Sequence, residues 1–230
     1  MAEPESIMVV TPHPDDSESA AGGTIARWCA EGKKVTLVVC TNGDKGTSDR
    51  SMKPADLVKI REKETLEAAR VYGLAGVEFL RFPDQGLEDT DEFRERLVWA
   101  IRTHKPDLLM CIDPGRPYIR HRDHYYSGRV TLDAVFPYSR DHLAYPEHLE
   151  NGLEPHKIEE IWLFRPQEPN IYVDVTDYFE TRQNALHSHL SQVGARDPER
   201  DERSRKRLAE TGEKNGMGLA ESFMKIEMFR

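Results

Sequence analysis

Short apolar runs alternate with longer segments of helical period through the first half of the chain. Residues 7–10, 35–40, 77–80 and 108–112 read as strands. Most are nearly continuous in Val, Leu, Ile, Met and Cys, as strands buried on both faces are. Residues 18–31, 55–72 and 91–104 read as helices, the first two stopped by Gly32 and Gly73, because glycine readily adopts the conformation that ends a helix. Gly22-Gly23 lowers the helix propensity of the first and predicts a close approach there, to the sheet or to a ligand. A fourth helix spans residues 125–135, followed to His156 by a polar, aromatic stretch of little periodicity. Residues 160–164 and 171–175 read as two more strands, 179–192 as a helix, and the remainder as charged helix and then loop. Strand and helix repeat with short connections. This predicts an α/β fold: a Rossmann-like, mostly parallel sheet with helices on both faces, plus extra C-terminal strands and helices. With no internal repeat and no low-complexity linker, residues 1–230 read as a single domain.

In such sheets ligands sit beyond the carboxyl ends of the strands. The first four strands end in polar, Gly/Pro-rich loops at residues 13–16, 41–47, 83–84 and from Asp113 onward. The fold brings these loops to one edge.

Composition narrows the partners. The net charge is −9, from 32 Lys and Arg against 41 Asp and Glu, which disfavours nucleic acid as the main partner. The densest basic run, residues 196–207, is interleaved with acids and reads as a solvated helix face. No apolar run approaches the roughly 18 residues of a membrane span, and the acidic start has no secretory pattern. Cys29, Cys40 and Cys111 form no CxxC pair and lie in apolar patterns. They read as buried free thiols in a reducing compartment, which makes the cytoplasm the expected location.

The chemistry lies in two short stretches. His13-Pro14-Asp15-Asp16 ends the first strand and opens a helix; His121-Arg122-Asp123-His124 follows the fourth strand and again opens one. Taken singly, Asp15 or Asp16 reads as a helix cap, and His121 and His124 as surface histidines. Taken together, they are paired i, i+3 residues at two strand ends of one sheet. Two histidines and a carboxylate form a familiar ligand set for catalytic Zn2+, with the fourth position left open. Four residues compete for three positions, and the assignment adopted is His13, Asp16 and His124. Asp15 is then the candidate general base. His121 would polarise a carbonyl or stabilise its oxyanion, and Asp123 would fix the His121 tautomer. His187 and His189 read as solvent-facing or capping residues. The rival from another class is a nucleotide- or sugar-binding module with no chemistry; the first loop has neither GxGxxG nor a P-loop pattern, which counts against nucleotide binding.

His13-Pro14-Asp15-Asp16 with Glu18 and Gly22-Gly23-Thr24, together with the His121–His124 motif, resembles the signatures of the LmbE-like (PIG-L type) N-acetylglucosaminyl deacetylases. The resemblance extends through Thr41-Asn42-Gly43-Asp44-Lys45-Gly46, Arg61-Glu62-Lys63-Glu64 with Ala68-Ala69, Asp84, Val173-Asp174-Val175-Thr176 and His189-Leu190-Ser191-Gln192, so that it covers roughly residues 7 to 192. Among the branches, Asp113-Pro114, Pro117-Tyr118 and Gly46-Thr47-Ser48-Asp49 look most like diacetylchitobiose deacetylases. Arg122 departs from the Pro that many members carry there. The resemblance implies zinc-dependent hydrolysis of the N-acetyl group of a small-molecule amino sugar. It gives His13, Asp16 and His124 as ligands, Asp15 as base, and His121 as the group that stabilises the oxyanion and protonates the leaving amine. It also implies sugar contacts from Arg61 and Asp84, and a homo-oligomer, trimer or hexamer. Family members that cleave a larger amide, such as a thiol-cofactor conjugate, would share this set.

Overall fold

A computed structural model describes residues 3–118 and 120–228. The elements run β1 (Ser6–Thr11), α1 (Asp16–Ala30), β2 (Lys34–Thr41), α2 (Pro54–Tyr72), β3 (Gly76–Phe82), α3 (Asp91–His104), β4 (Leu108–Ile112) and α4 (Arg122–Val135). There follow α5 (Glu147–Glu150), β5 (Glu160–Phe164), β6 (Ile171–Asp174), α6 (Phe179–His187), α7 (Leu190–Val193), α8 (Pro198–Glu213) and β7 (Ala220–Glu227). One seven-stranded sheet has the order β3-β2-β1-β4-β5-β7-β6. Its first five strands in that order are parallel, and β7 is antiparallel to both β5 and β6.

Alternation along the strands divides the core. Met8, Val10, Val38 and Cys40 pack with Phe93, Leu97 and Ile101 of α3 and Val130 and Ala134 of α4. Ile7, Val9, Leu37 and Val39 pack on the other face with Ala21 and Ile25 of α1, Ala68 and Tyr72 of α2, and Ala185 of α6. Both faces of β1 and β2 are buried, which is why these strands carry no polar alternation.

The alternating strand–helix order and the mostly parallel sheet agree with the sequence pattern. The tail does not. Residues 220–227, expected as loop, form β7, and the expected helix over 179–192 breaks at Ser188-His189 into α6 and α7. Glu221 and Lys225 hide the strand in a charged context. Lys225 pairs with Glu160 of β5, while the buried Glu221 carboxylate accepts the Gly23 and Thr24 backbone N–H groups and the Thr24 hydroxyl of α1. The Gly22-Gly23 pair does mark a close approach, made to neighbouring helices and Val175. A Cβ on Gly22 would lie 2.6 Å from the Tyr72 hydroxyl, and one on Gly23 2.7 Å from the Val175 side chain. Cys40 and Cys111 are buried, Cys29 is half-buried, and all three are free.

The sheet order reverses between β1 and β4: β1 continues leftward to β2, and β4 rightward to β5. Crevices form at such switch points, beyond the carboxyl ends of the two strands. β1 delivers His13–Asp16 to this crevice, and β4 delivers His121–His124.

Candidate active site

His13 lies at the centre. Its Nδ1 is 3.0 Å from Asp16 Oδ2, and its Nε2 is 3.1 Å from Asp123 Oδ2 and 3.2 Å from Asp84 Oδ1. The same Asp16 oxygen is 3.0 Å from His124 Nε2. Asp16 Oδ2 thus lies between His13 Nδ1 and His124 Nε2. The residues suit a divalent metal: imidazole nitrogens of His13 and His124 gather beside a carboxylate oxygen, and a neutral imidazole has a single N–H for the three carboxylates around His13. Burial works against charge on His13, yet Asp123, Asp16 and Asp84 together raise its pKa to about 11. Burial favours protonated Asp16, but His124 and His13 hold it far below the usual carboxylate range.

His121 belongs to the same cluster. Ligand atoms of His13, His121 and His124 all lie within 4.8 Å of one another. His121 caps α4, its Nδ1 accepting the Asp123 backbone N–H at 3.2 Å. That bond leaves the proton on Nε2. Burial and the neighbouring His13 lower its pKa, so the ring is a neutral N–H donor.

The Asp123 carboxylate is directed differently from its expected partner. It reaches His13, and it also accepts the Gln85 and Leu87 backbone N–H groups at 2.6 and 3.1 Å. The His121 tautomer is set by the Asp123 backbone, and the Asp123 side chain orients His13. Asp84 likewise faces His13; it is buried and accepts the Lys45 backbone N–H. Burial would raise its pKa, but His13 holds it at about 2.

Asp15 stands apart. It is the N-cap of α1 with φ 98°, in the left-handed region, and its side chain makes no capping bond. A non-glycine residue there is strained. Burial and the Asp16 charge push its pKa up to about 6, offset in part by Arg61 and His189. Arg61 is buried and donates to Pro14 O at 2.7 Å and Gly43 O at 3.0 Å, with Nη2 3.7 Å from Asp15 Oδ2. A Cβ on Gly46 would lie 2.6 Å from that guanidinium, and one on Gly43, at φ 63°, would be closer still. The two glycines of the second loop thus make room for Arg61.

His187 and His189, expected at the surface, are buried. His187 Nε2 is 3.0 Å from Asp201, and His189 Nε2 is 3.4 Å from Glu18. Neither pairing is visible in sequence spacing, since each partner lies on another element. Arg122 packs over the Tyr126 ring and pairs with Glu88 at the rim.

Residues 8–135 match the PIG-L family model, described as GlcNAc-PI de-N-acetylase. The chain is 31% identical to diacetylchitobiose deacetylase of Thermococcus kodakarensis over 82% of its own length and 70% of the relative's. It is 29% identical to mycothiol S-conjugate amidase of Streptomyces coelicolor, over 86% and 85%. The solved structure of N,N'-diacetylchitobiose deacetylase from Pyrococcus horikoshii with its inhibitor MPG superposes with a TM-score of 0.90 at 30% identity, covering 98% of this chain and 85% of that one.

Proposed function

The chain belongs to the PIG-L family, and from that premise we propose that it is a zinc-dependent hydrolase that releases acetate from an N-acetylglucosamine-containing sugar. The observation that carries the reading is the placement of Asp16 Oδ2 3.0 Å from both His13 Nδ1 and His124 Nε2, beside a strained Asp15 whose side chain makes no capping bond. His13, Asp16 and His124 would hold the ion. Zinc bound there supplies Lewis acidity and lowers the pKa of water towards neutrality.

The remaining chemistry is the chain's own. Asp15, its basicity raised by burial and by the Asp16 charge, takes a proton from the attacking water. His121 offers its Nε2–H to the acetamide oxygen as negative charge develops there. The proton held on Asp15 or His121 passes to the nitrogen as the C–N bond breaks, so that amide and water become amine and acetate. Asp123 and Asp84 orient His13 from behind. Arg61 donates to Pro14 O, which fixes the turn before Asp15, and its role at the sugar is part of this reading. Among the described residues no helix is long and apolar enough to cross a membrane. The three free thiols suit the reducing cytoplasm.

The test is acetate release from N-acetylglucosamine, its dimer and its glycosides, with and without chelator. Release that stops with chelator and returns with zinc supports the reading. Similarity to the S-conjugate amidase favours a second reading, cleavage of a larger amide by the same residues. That enzyme would release no acetate from the sugars but would still cleave a thiol-conjugate amide, again blocked by chelator.

A further inference from the structure

Glu18 and His189 form a buried pair that the proposed reaction does not use. Glu18 is 1% exposed and His189 0%. One Glu18 oxygen accepts the Ser17 hydroxyl at 2.8 Å; the other lies 3.4 Å from His189 Nε2. The space behind Glu18, bounded by Val9, Ile25, Leu37 and Tyr72, is too small for a water molecule. Nδ1 of His189 has no partner among the described residues, and Glu18 is the group that faces its Nε2. Buried polar groups are nearly always bonded, and the exceptions concentrate where function requires them. His189 is thus the side chain that faces the second Glu18 oxygen, on a carboxylate that solvent cannot reach from that side.

The residues after His189 tie it to the site. Ser191 donates through its backbone N–H and its hydroxyl to Glu64 at 2.7 and 2.6 Å, and Gln192 donates to Gly46 O at 2.9 Å. Gly43, in the same loop, accepts from Arg61, which also donates to Pro14 O. The contacts close a ring from His189 to Glu18 and the first turn of α1, then through Pro14, Arg61 and the second loop back to Gln192. Asp15 and Asp16 lie on that ring.

We propose that His189 is a positioning residue: by holding Glu18 it fixes the first turn of α1, and with it Asp15 and Asp16. The proposal rests on the reading of Asp16 as a metal ligand and Asp15 as the base. It assigns a role to the last motif of the chain, in which His189 is buried while Leu190 and Ser191 face solvent. A side chain that only fills space at position 189 would not serve; one that places an N–H near the position of Nε2 would.

Zinc affinity, measured by chelator competition, tests this without substrate. His189→Leu should raise the zinc Kd tenfold or more and lower kcat by a similar factor, with KM within threefold. His189→Gln, whose amide N–H reaches the Nε2 position, should stay within threefold of the unsubstituted protein in both. The double variant Glu18→Gln/His189→Leu should bind zinc no more weakly than the worse single variant. An equal loss in Leu and Gln variants, no loss in either, or additive losses would overturn the positioning role. If His189→Leu does not fold by circular dichroism, Glu18→Gln alone carries the test, with the same tenfold threshold. Absence of zinc binding by the unsubstituted protein would overturn the metal reading itself, and this inference with it.

Discussion

Two buried polar clusters, one around Arg102 and one around His13, are built on opposite terms. Arg102 of α3 is fully buried. Its guanidinium donates to the carbonyls of Asp141, Ala144, Tyr138, Tyr145 and Ser139 at 2.7, 3.0, 3.1, 3.3 and 3.5 Å. A group that can only donate meets groups that can only accept, and the aperiodic segment after α4 folds around it. Around His13 the balance fails. Three carboxylates and two further imidazoles crowd one ring, and acceptors outnumber protons. A matched cluster holds architecture. A mismatched one is kept because something else, here a cation, completes it.

The sharpest way to break that contrast is to swap the consequences. Asp15→Ala should lower acetate release about 10²–10⁴-fold, the range for loss of a general base, while zinc content and melting temperature hold. His124→Ala should instead lose the zinc. Arg102→Ala should do the reverse of Asp15→Ala. Stripping five carbonyls of their buried donor should cost about 3–5 kcal/mol, read by urea unfolding, with zinc content unchanged at temperatures where the variant stays folded. An Asp15 variant that keeps near-full rate, or an Arg102 variant that loses zinc before it loses stability, would erase the distinction between the clusters.

The contrast also explains what could be read from residues alone. The strand runs of β1, β2 and β4 are legible because both faces are buried and no charged residue interrupts their apolar runs. His13 and Asp16, and His121 and His124, are legible because i, i+3 pairs at two strand ends of a parallel sheet must meet near its switch point. The direction of the Asp123 carboxylate is not legible: spacing shows that it lies between two histidines, but His13, its actual partner, arrives from another loop. β7 is hidden because its charged residues are satisfied across the sheet, Lys225 by Glu160 and Glu221 by the α1 backbone. The burial of His187 and His189 depends on Asp201 and Glu18 in the same way. Local pattern reveals apolar surfaces, whereas a buried polar residue is explained by a partner that only the fold supplies.

Asp123→Asn sharpens the comparison from within the mismatched cluster. Replacing the carboxylate removes one of the two anions on the rear nitrogen of His13 but keeps an oxygen for the Gln85 or Leu87 N–H. Partners that orient a ligand histidine typically contribute 10–100-fold in metal affinity. A zinc Kd raised by about that factor, with little change in urea midpoint, is the expected result. An unchanged Kd would assign the orientation of His13 to Asp84 alone.

The smallest expected effect comes from a third cluster, matched like that of Arg102 but open to solvent at Arg196. Asp201 of α8 accepts from His187 at 3.0 Å and from Gln183 and Arg196 at 2.5 Å each. Burial favours its acid form, but His187, Arg196 and Gln183 outweigh it and lower the pKa below the ordinary value. The sign follows from that direction. A carboxylate with a lower pKa in the folded chain contributes stability in full above its unfolded value, near 3.9, and loses it as pH falls through the lower folded value. Arg196 is 42% exposed at its side chain, so solvent screens the pair. Asp201→Asn should therefore cost only about 1 kcal/mol at neutral pH. The gap between the two proteins in denaturant unfolding should stay constant down to about pH 4 and narrow below it. A gap that persists unchanged on the acid side would mean that the Asp201 donors act through hydrogen-bond geometry and not through charge, and α8 would then be held as Arg102 holds its carbonyls.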